Sequence, residues 1–399
     1  MKQKLSQKSI PAWSPERHLN QVVKAMPPSG IRRFFDLVSE MDGAISLGVG
    51  EPDFVTPWHV REACIYSLES GATHYTSNKG MPELREAICN QTRSDLGLDY
   101  DPAEEILITT GVSEAADLAF RATLNPGEEA IVPEPCYVAY TPDIILAGGV
   151  ARTVPTRLED EFRLQPEDVA AAVTEKSRAL LLSYPNNPTG AIMTRADLED
   201  LADVVVENDL LVVSDEVYGK LSYSGSHVSF AQLEGMQERT VILNGLSKSH
   251  AMTGWRIGYA LGDPALVGAM TKVHQYTMLC APTMAQIAGL EAMQKGEEEM
   301  LHMRHEYDLR RRMFVSGLNR IGLDCFEPKG AFYAFPSVKA WGLSSEEFAE
   351  RLLREQKVAV VPGNVFGSSG EGFLRCSYAT SREELIEALD RIETFLAGL

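Results

Sequence analysis

The sequence has 399 residues, enough at ~150 residues per domain for two or three domains. Its 44% hydrophobic, 8% aromatic and 23% charged residues match a folded globular chain and exclude the disordered and fibrous classes. A net charge of −19 with no Lys/Arg block repels polyanions, so nucleic acid and anionic membranes are poor partners.

At the N-terminus, MKQKLSQKSIPAW offers lysines but no apolar h-region, and no apolar run approaches the ~20 residues of a membrane helix. The next stretch, to about residue 45, reads as an arm, because Pro11, Pro15, Pro27 and Pro28 break any long helix. Beyond it, ILITT (106–110), AIVP (130–133), ALLLS (179–183), LLVVSD (210–215), VILNG (241–245) and IGYAL (257–261) have the pattern of buried parallel strands. Amphipathic stretches lie between them, such as LEDLADVVVE, opened by Thr194-x-x-Asp197 as a helix cap. That alternation predicts a doubly wound α/β domain. From about 298 a long charged helix, GAFYAFP, a helix SSEEFAERLLREQ, VAVVP, FLRCSYA and a last helix SREELIEALDRIETFL predict a smaller α+β domain. The expected division is an arm with part of the small domain over 1–45, a large domain over 46–295 and a small domain over 296–399. Six cysteines, Cys64, Cys89, Cys136, Cys280, Cys325 and Cys376, are widely spaced with no C-x-x-C, so neither a disulfide framework nor a metal site is expected. The chain reads as a cytoplasmic protein.

Several stretches can carry chemistry. Lys248 follows the strand VILNG in NGLSKSHAMTGWRIG. A lysine is a useful nucleophile only when its surroundings lower its pKa, and its main covalent use is a Schiff base with an aldehyde; a lone loop lysine is ordinarily just solvated. Asp215 ends LLVVSD and Tyr218 follows three residues later, both at the carboxyl edge where open α/β sheets bind ligands. A strand-terminal Asp can hold a pyridinium proton or equally cap a turn. SYPNNPTG adds Asn186 and Asn187 to the same edge. In ITTGVSEAADLAF, Gly111, Val112 and Ser113 open a helix whose N-terminus suits a phosphate, although ordinary capping looks the same. Arg375 in FLRCSYAT offers a guanidinium fork for a carboxylate or for a structural ion pair.

Together with GVGEPDF (48–54) and HYTSNKGMPELREAI (74–88), these motifs resemble the class I aminotransferases of the fold-type I pyridoxal-phosphate family, from about Pro27 to the C-terminus. The resemblance implies a large domain with a mostly parallel seven-stranded sheet and a smaller α+β domain. It makes Lys248 the Schiff-base lysine, Asp215 the partner of the pyridine nitrogen, and Asn187 and Tyr218 donors to the ring's phenolic oxygen. Arg256, with Val112 and Ser113, matches the phosphate cup, and Tyr137 in PEPCYVAY matches the residue stacked on the ring. Arg375 takes the substrate α-carboxylate beside the Gly50 backbone, and Tyr75 reaches the phosphate of a neighbouring subunit. The cofactor so implied is pyridoxal 5′-phosphate. The implied partners are an L-amino acid, aspartate, aromatic or similar, a 2-oxo acid such as 2-oxoglutarate, and a second copy of the chain in a homodimer.

The chain departs from the family in places. Gly245 stands three residues before the lysine, where many members have a phosphate-contacting serine, while Ser247 adjoins the lysine. No arginine matches the one some members use for a distal carboxylate; Ser113 lies where certain relatives carry a lysine, and Lys79 is the remaining candidate. N-acetyl-diaminopimelate or alanine transamination and C–S lysis are compatible alternatives. A non-catalytic effector-binding role lacks room for a DNA-binding unit.

Overall fold

The computed structural model describes residues 13–28, 30, 41 and 43–399. A short strand, β1 (Ile45–Ser46), precedes the strands of a central sheet: β2 (Ile106–Thr109), β3 (Glu129–Glu134), β4 (Val150–Pro155), β5 (Ser177–Ser183), β6 (Leu211–Asp215), β7 (Thr240–Gly245) and β8 (Gly258–Leu261). Their order across the sheet is β2-β8-β7-β6-β5-β3-β4. Helix α1 (Gln21–Ala25) precedes these strands, and α2 (Trp58–Glu69), α3 (Pro82–Leu96), α4 (Val112–Thr123), α5 (Tyr140–Leu146), α6 (Pro166–Ala172), α7 (Arg195–Glu207), α8 (Pro264–Thr277) and α9 (Thr283–Lys295) intersperse them or follow them.

The strands read as continuous apolar runs because both faces of the sheet are covered. In β2, Leu107 packs with Ala115 and Ala119 of α4 and Met270 of α8. Its neighbours Ile106 and Ile108 point the other way, onto Leu84 and Ile88 of α3 and Ala285 and Ala288 of α9. Each fully buried Leu, Ile or Met among these contributes about 1.5–3 kcal/mol of transfer free energy. Helix α7 starts as its sequence requires: Thr194 accepts from Asp197 N at 3.3 Å and the Asp197 carboxylate accepts from Thr194 N at 2.8 Å. Such a cap is worth about 1 kcal/mol.

Two strands differ from expectation. The run 257–261 was expected to be parallel, but β8 is antiparallel to both β2 and β7. A strand buried on both faces has the same apolar pattern in either direction, and the 246–257 loop returns the chain without the helical crossover that a parallel neighbour needs. Strand β4 lacked an apolar signal because it is the sheet edge, where Val154 alone of its residues is buried.

The C-terminal layer contains α10 (Glu297–Arg320), β9 (Tyr333–Ala334), α11 (Ser345–Gln356), β10 (Val358–Ala359), β11 (Val361–Pro362), β12 (Leu374–Ser377) and α12 (Arg382–Ala397). Strands β11, β12 and β9 form an antiparallel sheet. Phe314, Phe332, Phe348 and Phe395 fill the core of this layer, which Ile45 and Leu47 join from the other end of the chain. Strand β1 pairs in parallel with β10. Among the described residues no helix is long and apolar enough to cross a membrane.

Candidate active site

The carboxyl ends of β5, β6 and β7 open into a cavity of about 730 Å³ that the 49–51 segment, Tyr333 and Arg375 close from the other side. Asp215 ends β6, and Ser183 ends β5 beside it. The carboxylate is 7% exposed. It accepts from the Tyr140 hydroxyl at 2.7 Å and from Val217 N at 3.1 Å, while Tyr140 also bonds Ser183 Oγ at 2.9 Å. Burial pushes the Asp215 carboxyl up from 3.8 to about 6, against the pull of the Tyr140 and Val217 bonds, which favour the anion. At neutral pH it is therefore mostly ionised.

Lys248 leaves the end of β7 and lines the same cavity. Its amine donates to the Gly50 carbonyl at 2.6 Å. Burial draws the ammonium down to about 8; Arg375 and Arg256 add to the shift, while Glu51 and Asp215 oppose it. A lysine so placed is a nucleophile near neutral pH.

The start of α4 lies at one end of the cavity. Gly111, with φ 81°, is its N-cap and supplies no capping side chain, so the first-turn N–H groups are left for a ligand. A Cβ on Gly111 would lie 2.4 Å from Arg256 Nη2, which shows how closely that guanidinium overlies the helix start. Arg256 Nη1 donates to the Thr253 carbonyl at 3.1 Å. Val112, Ser113 and Ser247 line the same end. Tyr137 forms a wall, edge-on to Tyr140 with ring centroids 5.6 Å apart.

Gly245 is explained by packing. A Cβ there would meet the Ile257 carbonyl oxygen and Val112 Cγ2 at 2.9 Å each. A serine does not fit without moving β8 or α4, and the cavity's hydroxyl next to the lysine comes from Ser247 instead.

Arg375 of β12 is 2% exposed. Nη1 donates to Asn187 Oδ1 at 3.0 Å and Nη2 to the Gly48 carbonyl at 2.6 Å. Its guanidinium lies over the rings of Tyr333, at 4.6 Å, and Phe366, at 4.9 Å. Nε has no partner, and no carboxylate pairs with Arg375 among the described residues. A buried charge of this kind is costly until an anion arrives. Because Arg375 holds the carbonyl of Asn187, the amide NH₂ is the end left to donate. Tyr218 and Tyr333 share a hydrogen bond of 2.8 Å between their hydroxyls.

Ten of the eleven residues to which the resemblance gave a role thus line this cavity: Lys248, Asp215, Tyr218, Asn187, Tyr137, Arg256, Val112, Ser113, Arg375 and Gly50. The carbonyl that Arg375 grips is that of Gly48, while Gly50 takes Lys248. Tyr75 stands apart, 81% exposed on the surface. Lys79 is not a distal-carboxylate site within this chain: its amine is held by Glu104 at 2.8 Å and the Ala103 carbonyl at 2.9 Å. The sequence reading missed Tyr140, Ser183, Tyr333 and Glu51. Tyr140 had a signal, its position three residues after Tyr137 at a helix start.

A mostly parallel α/β sheet with a half-buried lysine and a buried carboxylate at adjacent strand ends defines an enzyme that works on a small ligand at its sheet edge. The chain belongs to the aminotransferase class I and II family, whose model matches residues 42–392. YugH of Bacillus subtilis (strain 168), named as an aminotransferase with no substrate given, is 52% identical over 379 residues, covering 95% of this chain and 98% of that one. The aromatic-amino-acid aminotransferase 2 of Thermococcus litoralis is 45% identical over 381 residues, covering 95% and 98%. The solved aspartate aminotransferase of Thermus thermophilus with maleate superposes with a TM-score of 0.90 at 40% identity, covering 94% of this chain and 99% of that one. The protein is an aminotransferase with the fold of the pyridoxal-phosphate-dependent members, a family that uses this cofactor.

The donor set fits such a group. The open helix start and Arg256 suit a phosphate, an anionic Asp215 suits a protonated ring nitrogen, and the lowered amine of Lys248 suits an aldehyde.

Proposed function

We propose that the protein binds pyridoxal 5′-phosphate at Lys248 and uses it to exchange the amino group of an L-amino acid with a 2-oxo acid, 2-oxoglutarate being the expected acceptor. The observation that carries this reading is that Lys248, with its amine lowered to about 8, and Asp215, a buried carboxylate, face one cavity from the ends of neighbouring strands. When bound, the cofactor supplies an aldehyde for the amino group and a protonated ring that takes up the electron pair released at the α-carbon. The other roles fall to the chain. Arg375 seats the α-carboxylate through a charge-assisted fork, and Asn187 and Tyr218 donate to the ring's phenolic oxygen. Tyr137 covers the ring face, while Val112, Ser113, Ser247 and Arg256 hold the phosphate. Lys248 Nζ takes the α-proton of the bound amino acid and returns it to the cofactor side, a transfer governed by reach before pKa.

The names of the relatives give aspartate and aromatic donors as the two leading substrate classes. Beyond Lys248, Arg256 and Arg375, the charged residues lining the cavity are Glu51, Asp143 and Asp215, all acidic. An aspartate side chain therefore needs a cation from a second copy of the chain; an aromatic side chain does not. The exposed Tyr75 fits a homodimer in which each copy completes its partner's site. The proposed domains are an arm with part of the small domain over 1–45, a large domain over 46–295 and a small domain over 296–399. Six unpaired cysteines support a reducing compartment, the cytoplasm.

The experiment is a panel of amino acids, N-acetylated diaminopimelate included, each mixed with 2-oxoglutarate and assayed for glutamate. Glutamate formation from an aromatic or acidic donor supports the reading. Release of pyruvate and ammonia from cysteine-type substrates, with no glutamate from any donor, would replace transamination with C–S lysis.

A further inference from the structure

We propose that Tyr333 is a positioning residue that links the carboxylate anchor to the donor of the cofactor's phenolic oxygen. This rests on the reading above, in which Tyr218 donates to that oxygen. Tyr333 and Tyr218 are 1% and 5% exposed, come from opposite layers of the protein and meet hydroxyl to hydroxyl at 2.8 Å. Each hydroxyl has one proton, so in a buried pair one donates and the other accepts. If Tyr218 gives its proton to the ring oxygen, it must accept from Tyr333. The Tyr333 hydroxyl thereby fixes the direction of the pair and polarises Tyr218 towards the ligand.

The same residue carries Arg375. Strand β9 pairs with β12, placing Tyr333 opposite Ser377, and the Arg375 guanidinium lies 4.6 Å from the Tyr333 ring centroid. Gly50 leaves room for this arrangement, since a Cβ there would come within 2.8 Å of the Tyr333 hydroxyl oxygen. The ring supports the anchor, and the hydroxyl directs the donor. These functions separate by mutation.

The test compares the wild-type holoenzyme with Y333F, Y218F and the double variant, following the bound cofactor's absorbance against pH together with KM and kcat. With one donor fewer, the ring oxygen of the bound cofactor would hold a proton more tightly. Y218F is therefore expected to raise the absorbance midpoint by about one pH unit and Y333F by about half as much. The double variant should move no further than Y218F. Y333F keeps the ring, so KM for the amino acid stays within about twofold of wild type while kcat falls several-fold; Y333A, which removes the ring, raises KM as well. A Y333F midpoint equal to wild type, or a double variant whose shifts add, overturns the inference alone. A wild-type protein with no borohydride-sensitive chromophore overturns the cofactor reading and this inference with it.

Discussion

The Tyr140 hydroxyl donates to Asp215 Oδ2 at 2.7 Å from 75 residues away in sequence, and it is the one side-chain donor bonded to that buried carboxylate among the described residues. Burial holds the Asp215 carboxyl at about 6, and the Tyr140 bond keeps it from rising further. In Y140F the Asp215 pKa should climb by about one unit, given the worth of a hydrogen bond to a charged group. The acid limb of the pH–rate profile then moves up from about 6, and turnover drops about twofold near pH 7 and about fivefold near pH 6. An acid limb that stays in place in Y140F argues that Asp215 does not set it.

Lys248 should impose its own pH dependence on the cofactor-free protein. Its amine loses the proton near pH 8, so the rate of recapturing pyridoxal phosphate rises through about 8 and then levels. Stability follows the proton balance. An unfolded lysine keeps its proton to about 10.5 and the folded one to about 8, so between those values the unfolded state binds more protons and stability rises with pH. Below about 8 the burial cost of the ammonium is fully present. Cofactor-free K248M should therefore melt above the cofactor-free wild type at pH 7, with the gap closing towards pH 10; thermal melts across this range give the comparison.

Arg375 is expected to act on substrate affinity. R375A should raise KM for the amino acid by roughly 10- to 100-fold, the worth of a charge-assisted fork. R375K keeps the charge but loses the planar fork and the stacking on Tyr333 and Phe366, so its KM should fall between the two. Steady-state kinetics in which R375K matches wild type would remove bidentate binding from the account.

Position 245 tests the departure from the family. G245S places a side chain against Ile257 and Val112 and should cost about 1–3 kcal/mol through overpacking. Because Val112 opens α4, the variant should also hold its cofactor more weakly. A melt and a cofactor titration indistinguishable from wild type would show that the β7, β8 and α4 contact yields easily.

Much of this architecture is written in local patterns. The apolar runs of β5, β6 and β7 and the Thr194 cap are local signals, and the motifs around Lys248, Asp215 and Arg375 have fixed spacings. What the sequence leaves silent depends on contacts between distant residues. Tyr333 reaches Tyr218 across 115 positions and Arg375 reaches Asn187 across 188, and no local pattern encodes either pairing. Strand direction is silent in β8 for a related reason, since burial on both faces erases the difference between parallel and antiparallel neighbours. Of the arm assigned to 1–45, residues 1–12, 29, 31–40 and 42 lie outside the described residues, while 13–28 are described and include α1.

Borohydride reduction of the purified holoenzyme, followed by peptide mapping, bears most directly on the covalent role of Lys248. The pyridoxyl mass should appear on the lysine of NGLSKSHAMTGWR and should be absent from K248A, whose turnover should fall by at least ~10³-fold. A fully active protein with the tag on another lysine, or with no tag at all, contradicts the account.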